Sequence, residues 1–243
     1  MQRKSYSILF TAPAVLFMAL FIFSACKLIR PAADRQPESF NLRFNDGGKF
    51  KISQFTDIHW ENDSVEKCAS TARLIRHVLK EEHPSLAVLT GDIVIQPSAE
   101  GWKAVTALFT EAGIPFAVVM GNHDDEAEWS RDRIFDFLET VDGFVGSKGP
   151  ASVSGVGNYI IGIRSASSAS IASAGTSTRS ATSASSASSG TATSGSSGST
   201  AALLYFLDSN SYGGDEKIST YGWIRFDQIA WYREQSRRMT ALN

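Results

Sequence analysis

Histidine is scarce in this chain. Only four of its 243 residues are histidine, at positions 59, 77, 83 and 123, and none lies beyond His123. Cysteine is scarcer: Cys26 and Cys68 are the only two, and if Cys26 carries a lipid Cys68 has no partner, so no disulfide framework is expected. There is no surplus of positive charge. The net charge of -2 gives no basic face of the kind nucleic acid binding requires. Residues 165–200 lack aromatic side chains altogether. They are nearly all Ser, Ala, Gly and Thr, with Ile171 and Arg179 as the exceptions. Such a tract cannot bury enough apolar area to offset its ordering entropy, so a disordered insertion between two strands is expected.

The start of the chain is rich in what the tract lacks. Arg3 and Lys4 precede a mostly apolar run over residues 8–23, and Ser24-Ala25 lead into Cys26. This is a secretory signal pattern. The cysteine after two small residues resembles a bacterial lipoprotein box, with Phe23 where Leu is usual. Residues 1–26 are therefore expected to be a lipoprotein signal peptide and Cys26 the lipidated residue. The protein would sit in the cell envelope, anchored to a membrane and facing away from the cytoplasm. An uncleaved membrane anchor is the competing reading, since the run is almost long enough to span. Residues 27–47 carry prolines, charges and a Gly-Gly pair without apolar period, and read as a tether.

The folded domain is expected over 48–243. Apolar runs at 50–55, 86–89 and 116–120 have the length and character of buried strands. Helical spacing follows the first from Ser64 to about Glu82, where Pro84 stops it. Cys68 shares the apolar face of that helix with Val65, Ala72, Ile75 and Leu79, which predicts a buried structural thiol. A second helix is expected over 99–112, with Gly113 as the stop, and a third over 130–140, with Ile134, Phe135, Phe137 and Leu138 inside. The order β-α-β-α-β-α implies parallel strands. Residues 153–163 suggest a hairpin or meander turning at Gly155 and Gly157. A strand over 203–207 leads into Asp208-Ser209-Asn210. An amphipathic helix over 226–238 carries Ile229, Ala230 and Tyr232.

Each of the first three strands ends in a polar cluster: Asp57-Ile58-His59, Gly91-Asp92 and Gly121-Asn122-His123-Asp124. Ligand-binding residues collect at the carboxyl ends of strands in alternating α/β chains. Asp57 and His59, two residues apart, can face one metal where the chain leaves its strand. Gly91 lets the backbone turn tightly before Asp92. Asn122 offers a neutral carbonyl oxygen. His123 would lie beside the metals, able to donate a proton to a leaving-group oxygen. Two ions roughly 3.5–4 Å apart polarise a phosphate and acidify a bridging water. Each cluster alone has an ordinary reading as a turn or a helix cap. In this order, each after a buried strand, they describe a metal site. His77 and His83 are expected to be solvated, and Trp60 either packs or shapes the rim.

The three clusters resemble the first three motifs of the calcineurin-like metallophosphoesterases. The sequence before Asp57 and the later Leu207-Asp208-Ser209-Asn210 resemble the branch holding Dcr2-like phosphatases and small, atypical purple acid phosphatases. The resemblance implies a four-layer α/β/β/α sandwich. It implies that Asp57 and His59 bind the first metal, Asp92 bridges, Asn122 binds the second, and His123 assists the leaving group. Imidazole ligands favour Mn, Fe or Zn over Mg. Ile95 stands where purple enzymes carry a metal-bound tyrosine. The family's later histidines, including a Gly-His-x-His motif, have no counterpart here. The expectation is a domain incomplete at its C-terminal end, with an incomplete second metal site.

Two functions compete. One is a phosphate ester hydrolase, impaired by the missing histidines. The other is a non-catalytic envelope lipoprotein that keeps the fold as a scaffold or binding module.

Overall fold

The apolar runs that precede the three clusters form one parallel sheet. The computed structural model describes residues 42–166, 199–215 and 217–242. Through them the chain runs β1 (Ile52–Phe55), β2 (Trp60–Glu61), α1 (Val65–Glu82), β3 (Leu86–Thr90), β4 (Val94–Gln96), α2 (Ser98–Ala112) and β5 (Phe116–Val119). It continues with α3 (Arg131–Leu138), β6 (Tyr159–Arg164), β7 (Thr200–Phe206) and α4 (Phe226–Leu242). The main sheet has the order β1-β3-β5, with Phe55 opposite Leu89 and Leu89 opposite Val118. β3 is apolar over 86–89 because it is central; β1, at the edge, alternates Ile52 and Gln54 with Ser53 and Phe55.

The connecting helices start and stop where their caps dictate. The Ser64 hydroxyl accepts the Lys67 N–H at 3.3 Å and starts α1. His83, left-handed, ends it just before Pro84. Gly113, at φ 66°, closes α2. Ser130 caps α3 through the Arg133 N–H. α1 buries Ala72, Ile75 and Leu79, while Val65 at its first position is exposed. Among the described residues Cys68 has no disulfide partner; it is half-buried and its thiol donates to the Glu61 carbonyl at 2.9 Å.

The core is aromatic. Phe109 of α2 lies 5.4 Å from the ring of Phe55 and 5.5 Å from that of Phe116, so α2 covers the Phe55 and Leu89 face of the sheet. Phe116 continues to Phe144, and Phe144 to Phe135. Each buried ring contributes about 1.5–3 kcal/mol through lost water contact, and the ring pairs add about 0.5–1.5 kcal/mol each. The Trp60 side chain is buried in this core, so it packs.

The opposite face of the sheet, with Ile52, Gln54, Val88, Thr90 and Val119, looks across a groove of about 550 Å³ to residues 203–207 of β7 and its exit. β7 pairs antiparallel with β6. This second sheet is fixed to β5 by Tyr159. Its hydroxyl accepts the Val118 N–H at 3.0 Å and donates to the Val118 carbonyl at 2.7 Å. Its ring stacks on Phe206 at 4.5 Å. Burial pushes this phenol well above the usual tyrosine range. Helix, parallel sheet and second sheet give the α/β architecture expected of a metallophosphoesterase fold.

Three expectations need correction. Residues 153–158 form turns rather than a strand, and the partner of β6 is β7. Two-residue β2 and three-residue β4 form a small parallel sheet too short to leave a sequence period. α4 does not bury its apolar stripe: Ile229 is 42% and Tyr232 40% exposed, and Ala230 is exposed too, while polar Gln228 is fully buried. Gln228 is inside because its amide donates to Asn158 Oδ1 at 2.8 Å and to the Asp208 carbonyl at 2.6 Å.

The Ser-rich tract does sit between two paired strands, and the Ser165 N–H donates to the Ser199 carbonyl at 2.9 Å. Residues 167–198, like residues 1–41 with Cys26, lie outside the described residues. Among the described residues, no helix is long and apolar enough to cross a membrane.

Candidate metal centre

Asp57, His59 and Asp92 converge. One ligand atom from each lies within 4.8 Å of the others. His59 Nε2 stands 3.9 Å from Asp57 Oδ1 and 3.8 Å from Asp92 Oδ2. The side chains are graded in exposure, 66% for Asp57, 44% for His59 and 18% for Asp92, so the site opens outward from Asp92.

The backbone is bent to achieve this. Asp57, His59 and Asp92 have φ of 51°, 49° and 53°, the left-handed region that side chains with a Cβ disfavour by about 1–2 kcal/mol each. Strain of this kind persists only where surrounding contacts over-determine it. Here the Asp57 N–H donates to the Gly91 carbonyl at 3.0 Å and the His59 N–H to the Asp92 carbonyl at 2.9 Å. Gly91, at φ 97°, has no room for a side chain: a Cβ would lie 2.7 Å from the Gly121 nitrogen. The loops after β3 and β5 therefore touch backbone to backbone.

The third cluster supports the second. Asp124 is buried and accepts N–H groups from Asp92, Ile93, Val94 and Gly121 at 2.8–3.0 Å. Burial pushes its carboxyl up, and the backbone donors draw it back down. The His123 N–H donates to Asp92 Oδ1 at 3.1 Å. Its ring lies edge-on to that of His59, 5.5 Å between centroids. Buried Arg131 braces the loop, pairing with Asp208 at 2.7 Å and Asp125 at 3.2 Å and donating to the Gly121 carbonyl.

Among the described residues, His59 Nε2 is shielded from solvent and has no hydrogen-bond partner, and a carboxylate oxygen of Asp57 and one of Asp92 stand within 4 Å of it. Two carboxylate oxygens and one imidazole nitrogen so placed are a ligand set for a divalent transition metal. The residues present fit the group.

Of the sequence candidates, Asp57, His59 and Asp92 meet, and His123 adjoins them through its backbone and ring. Asn122 sits between two residues that touch Asp92, and its amide Nδ2 donates to the Tyr212 hydroxyl at 2.9 Å. His77 and His83 are exposed. Sequence reasoning missed Glu126, which meets His123 Nδ1 at 2.6 Å, and Tyr212, which donates to Glu126 at 2.8 Å. It also missed the bracing roles of Asp124 and Arg131. Glu126 follows His123 by three residues, a spacing that brings side chains together in a turn. Tyr212 left no such signal.

Three candidate ligands at neighbouring strand ends agree with a calcineurin-like phosphoesterase domain. The family model for calcineurin-like phosphoesterase matches residues 50–169, and the chain carries a domain of that family. A similar protein is "Probable inactive purple acid phosphatase 29" of Arabidopsis thaliana, 25% identical over 92% of this chain and 56% of its own length. "Probable inactive purple acid phosphatase 28" of the same plant is 28% identical over 80% of this chain and 50% of its own. "Phosphatase DCR2" of Saccharomyces cerevisiae is 30% identical over 77% of this chain and 31% of its own length. The chain thus spans about half the length of the plant relatives, and less of the yeast one.

Proposed function

We propose that this protein hydrolyses phosphate esters with Asp57, His59 and Asp92 holding a first ion, Asp92 and Asn122 a second, and His123 serving the leaving group. The observation that carries the reading is the unpartnered His59 Nε2 aimed at two carboxylates. When bound, the ions polarise the phosphoryl oxygens and acidify a water. Asp92 lies deepest of the three, with Oδ2 3.8 Å from His59 Nε2 and Oδ1 accepting the His123 N–H, and it would be the carboxylate shared by the two ions. His123 has its Nδ1 held by Glu126, which leaves Nε2 free and, when the ring is an imidazolium, able to give a proton to the departing oxygen.

Among the described residues, three side chains would serve the first ion and Asp92 and Asn122 the second, so these residues by themselves are expected to turn over slowly. Elemental analysis should find one ion held tightly per chain, Mn, Fe or Zn, together with slow release of an aryl phosphate product. Two tightly held ions would overturn the asymmetry. Absence of any bound metal would overturn the reading itself. The second function, a non-catalytic scaffold, draws support from the word "inactive" in the names of the two plant relatives. A metal-loaded protein without turnover would favour it.

The site faces the outside of a membrane in this proposal, carried by a lipid on Cys26 and the tether over 27–47. The charged start, apolar run and Ser24-Ala25-Cys26 support it. Fatty-acid labelling that survives Cys26→Ser would exclude it.

A further inference from the structure

We infer that Glu126 and Tyr212 are positioning residues that fix which nitrogen of His123 and which atom of Asn122 face the metal centre. The inference rests on the phosphoesterase reading for its meaning, but its geometry stands without it. Four side chains form one line. Asn122 Nδ2 lies 2.9 Å from the Tyr212 hydroxyl, and that hydroxyl lies 2.8 Å from Glu126 Oε1. Glu126 Oε2 lies 2.6 Å from His123 Nδ1.

The direction of every proton in this line follows from counting donors. A carboxylate only accepts. Tyr212 has one hydroxyl proton, and the 2.8 Å approach to Glu126 uses it. Towards Asn122 the hydroxyl must then accept. The atom of Asn122 that meets it is therefore the NH₂ nitrogen, because an amide oxygen there would set two acceptors against one proton. Asn122 Oδ1, the atom a metal can use, is left free. At the other end Nδ1 of His123 must carry a proton, so in the neutral ring Nε2 holds the lone pair. A carboxylate that holds one ring nitrogen sets the tautomer and direction of the other.

Tyr212 is itself held. Its ring stacks on Tyr221 at 5.6 Å, and the neighbouring Ser211 hydroxyl donates to the Asn122 carbonyl at 3.2 Å. The loop after β7 thus reaches back 90 residues in sequence to set a strand-end turn after β5. None of these residues is deeply buried, so their removal should leave the fold intact.

The test uses the full chain, metal-free, with ¹⁵N-labelled histidine and asparagine, at a pH where His123 is neutral. His123 should be the Nδ1–H tautomer, and Glu126→Ala should shift it toward Nε2–H. The side-chain amide resonances of Asn122 should move in Tyr212→Phe. Both variants should melt within a degree or two of the parent. An Nε2–H tautomer in the parent, a tautomer unchanged by Glu126→Ala, or unmoved Asn122 resonances would each overturn the inference. Zn²⁺ titration then separates this from the wider reading. Tyr212→Phe should leave the first Zn²⁺ unchanged and bind the second, the one Asn122 serves, about 10-fold more weakly, as loss of such supporting hydrogen bonds does; an unchanged second affinity counts against the inference. A parent that binds no Zn²⁺ defeats the phosphoesterase reading, while the tautomer and amide shifts still decide the line of hydrogen bonds.

Discussion

The Asp124 carboxylate accepts the Asp92 N–H at 3.0 Å, so the candidate bridging ligand hangs from a side chain of the neighbouring strand end. The same carboxylate collects the N–H groups of Ile93, Val94 and Gly121. Two loops that share one buried anchor cannot move separately. The strained backbone at Asp92 follows from this arrangement.

Asp124→Ala should therefore destabilise the protein more than any ligand substitution. It leaves four backbone donors without their acceptor, three of them in one turn. A buried group left unsatisfied costs about 1–3 kcal/mol. A loss above about 3 kcal/mol in denaturant unfolding is expected even with partial rescue by water. Asp92→Asn, by contrast, should weaken metal binding with little change in stability. Equal stability of Asp124→Ala and the parent would show that the anchor is idle.

Tyr159→Phe tests the joint between the two sheets. The phenol is the partner of both polar groups of Val118. The ring and its stack on Phe206 survive the substitution, so the hydroxyl alone is removed. Two orphaned backbone groups should lower stability by at least about 2 kcal/mol. Equilibrium unfolding measures it, and a loss below about 0.5 kcal/mol would mean that water replaces the hydroxyl.

The His123–Glu126 pair predicts a pH dependence in the metal-free protein. The hydrogen bond that His123 donates to Glu126 raises the His123 pKa, and the same bond lowers that of Glu126. A raised histidine contributes stability that is fully present below its unfolded value near 6.5 and fades as pH rises through the folded value. A depressed glutamate contributes above its unfolded value and loses that as pH falls through the folded one. The pair should contribute most between those two limits. The ring is exposed, so the effect on stability is small, and NMR titration is the sharper measure. A His123 midpoint at or below that of exposed His77 would contradict it.

The second and third polar clusters were legible because each follows a largely buried run and a glycine marks the turn; the first follows the edge strand β1, whose residues are at most half-buried, and was legible from its Asp-x-His spacing. Two helices were legible from Ser64 and Gly113, residues whose caps act locally, and the third from its apolar residues Ile134, Phe135, Phe137 and Leu138. What sequence could not yield are contacts made at long range. Tyr212 meets Asn122 across 90 residues and Arg131 meets Asp208 across 77, and neither pair leaves a local pattern. α4 misled for a related reason. Its apolar residues have the spacing of a buried face, but the polar Gln228 is what the neighbouring loops demand.

The tract over 165–200 should be removable. Its ends already meet, with the Ser165 N–H on the Ser199 carbonyl at 2.9 Å in line with the β6–β7 ladder. Its sequence offers almost nothing apolar to bury, so the pairing of Tyr159 with Phe206 and Ile161 with Leu204 must hold the two strands without it. Closing a long loop is entropically dearer than closing a short one by about 0.6 kcal/mol per doubling of length. Replacing the tract with a short Gly-Ser turn should thus leave the melting temperature unchanged or slightly higher, and should leave Zn²⁺ affinity unaltered. A drop of several degrees would mean that the tract packs against the domain, and a change in affinity alone would mean that it reaches the metal centre.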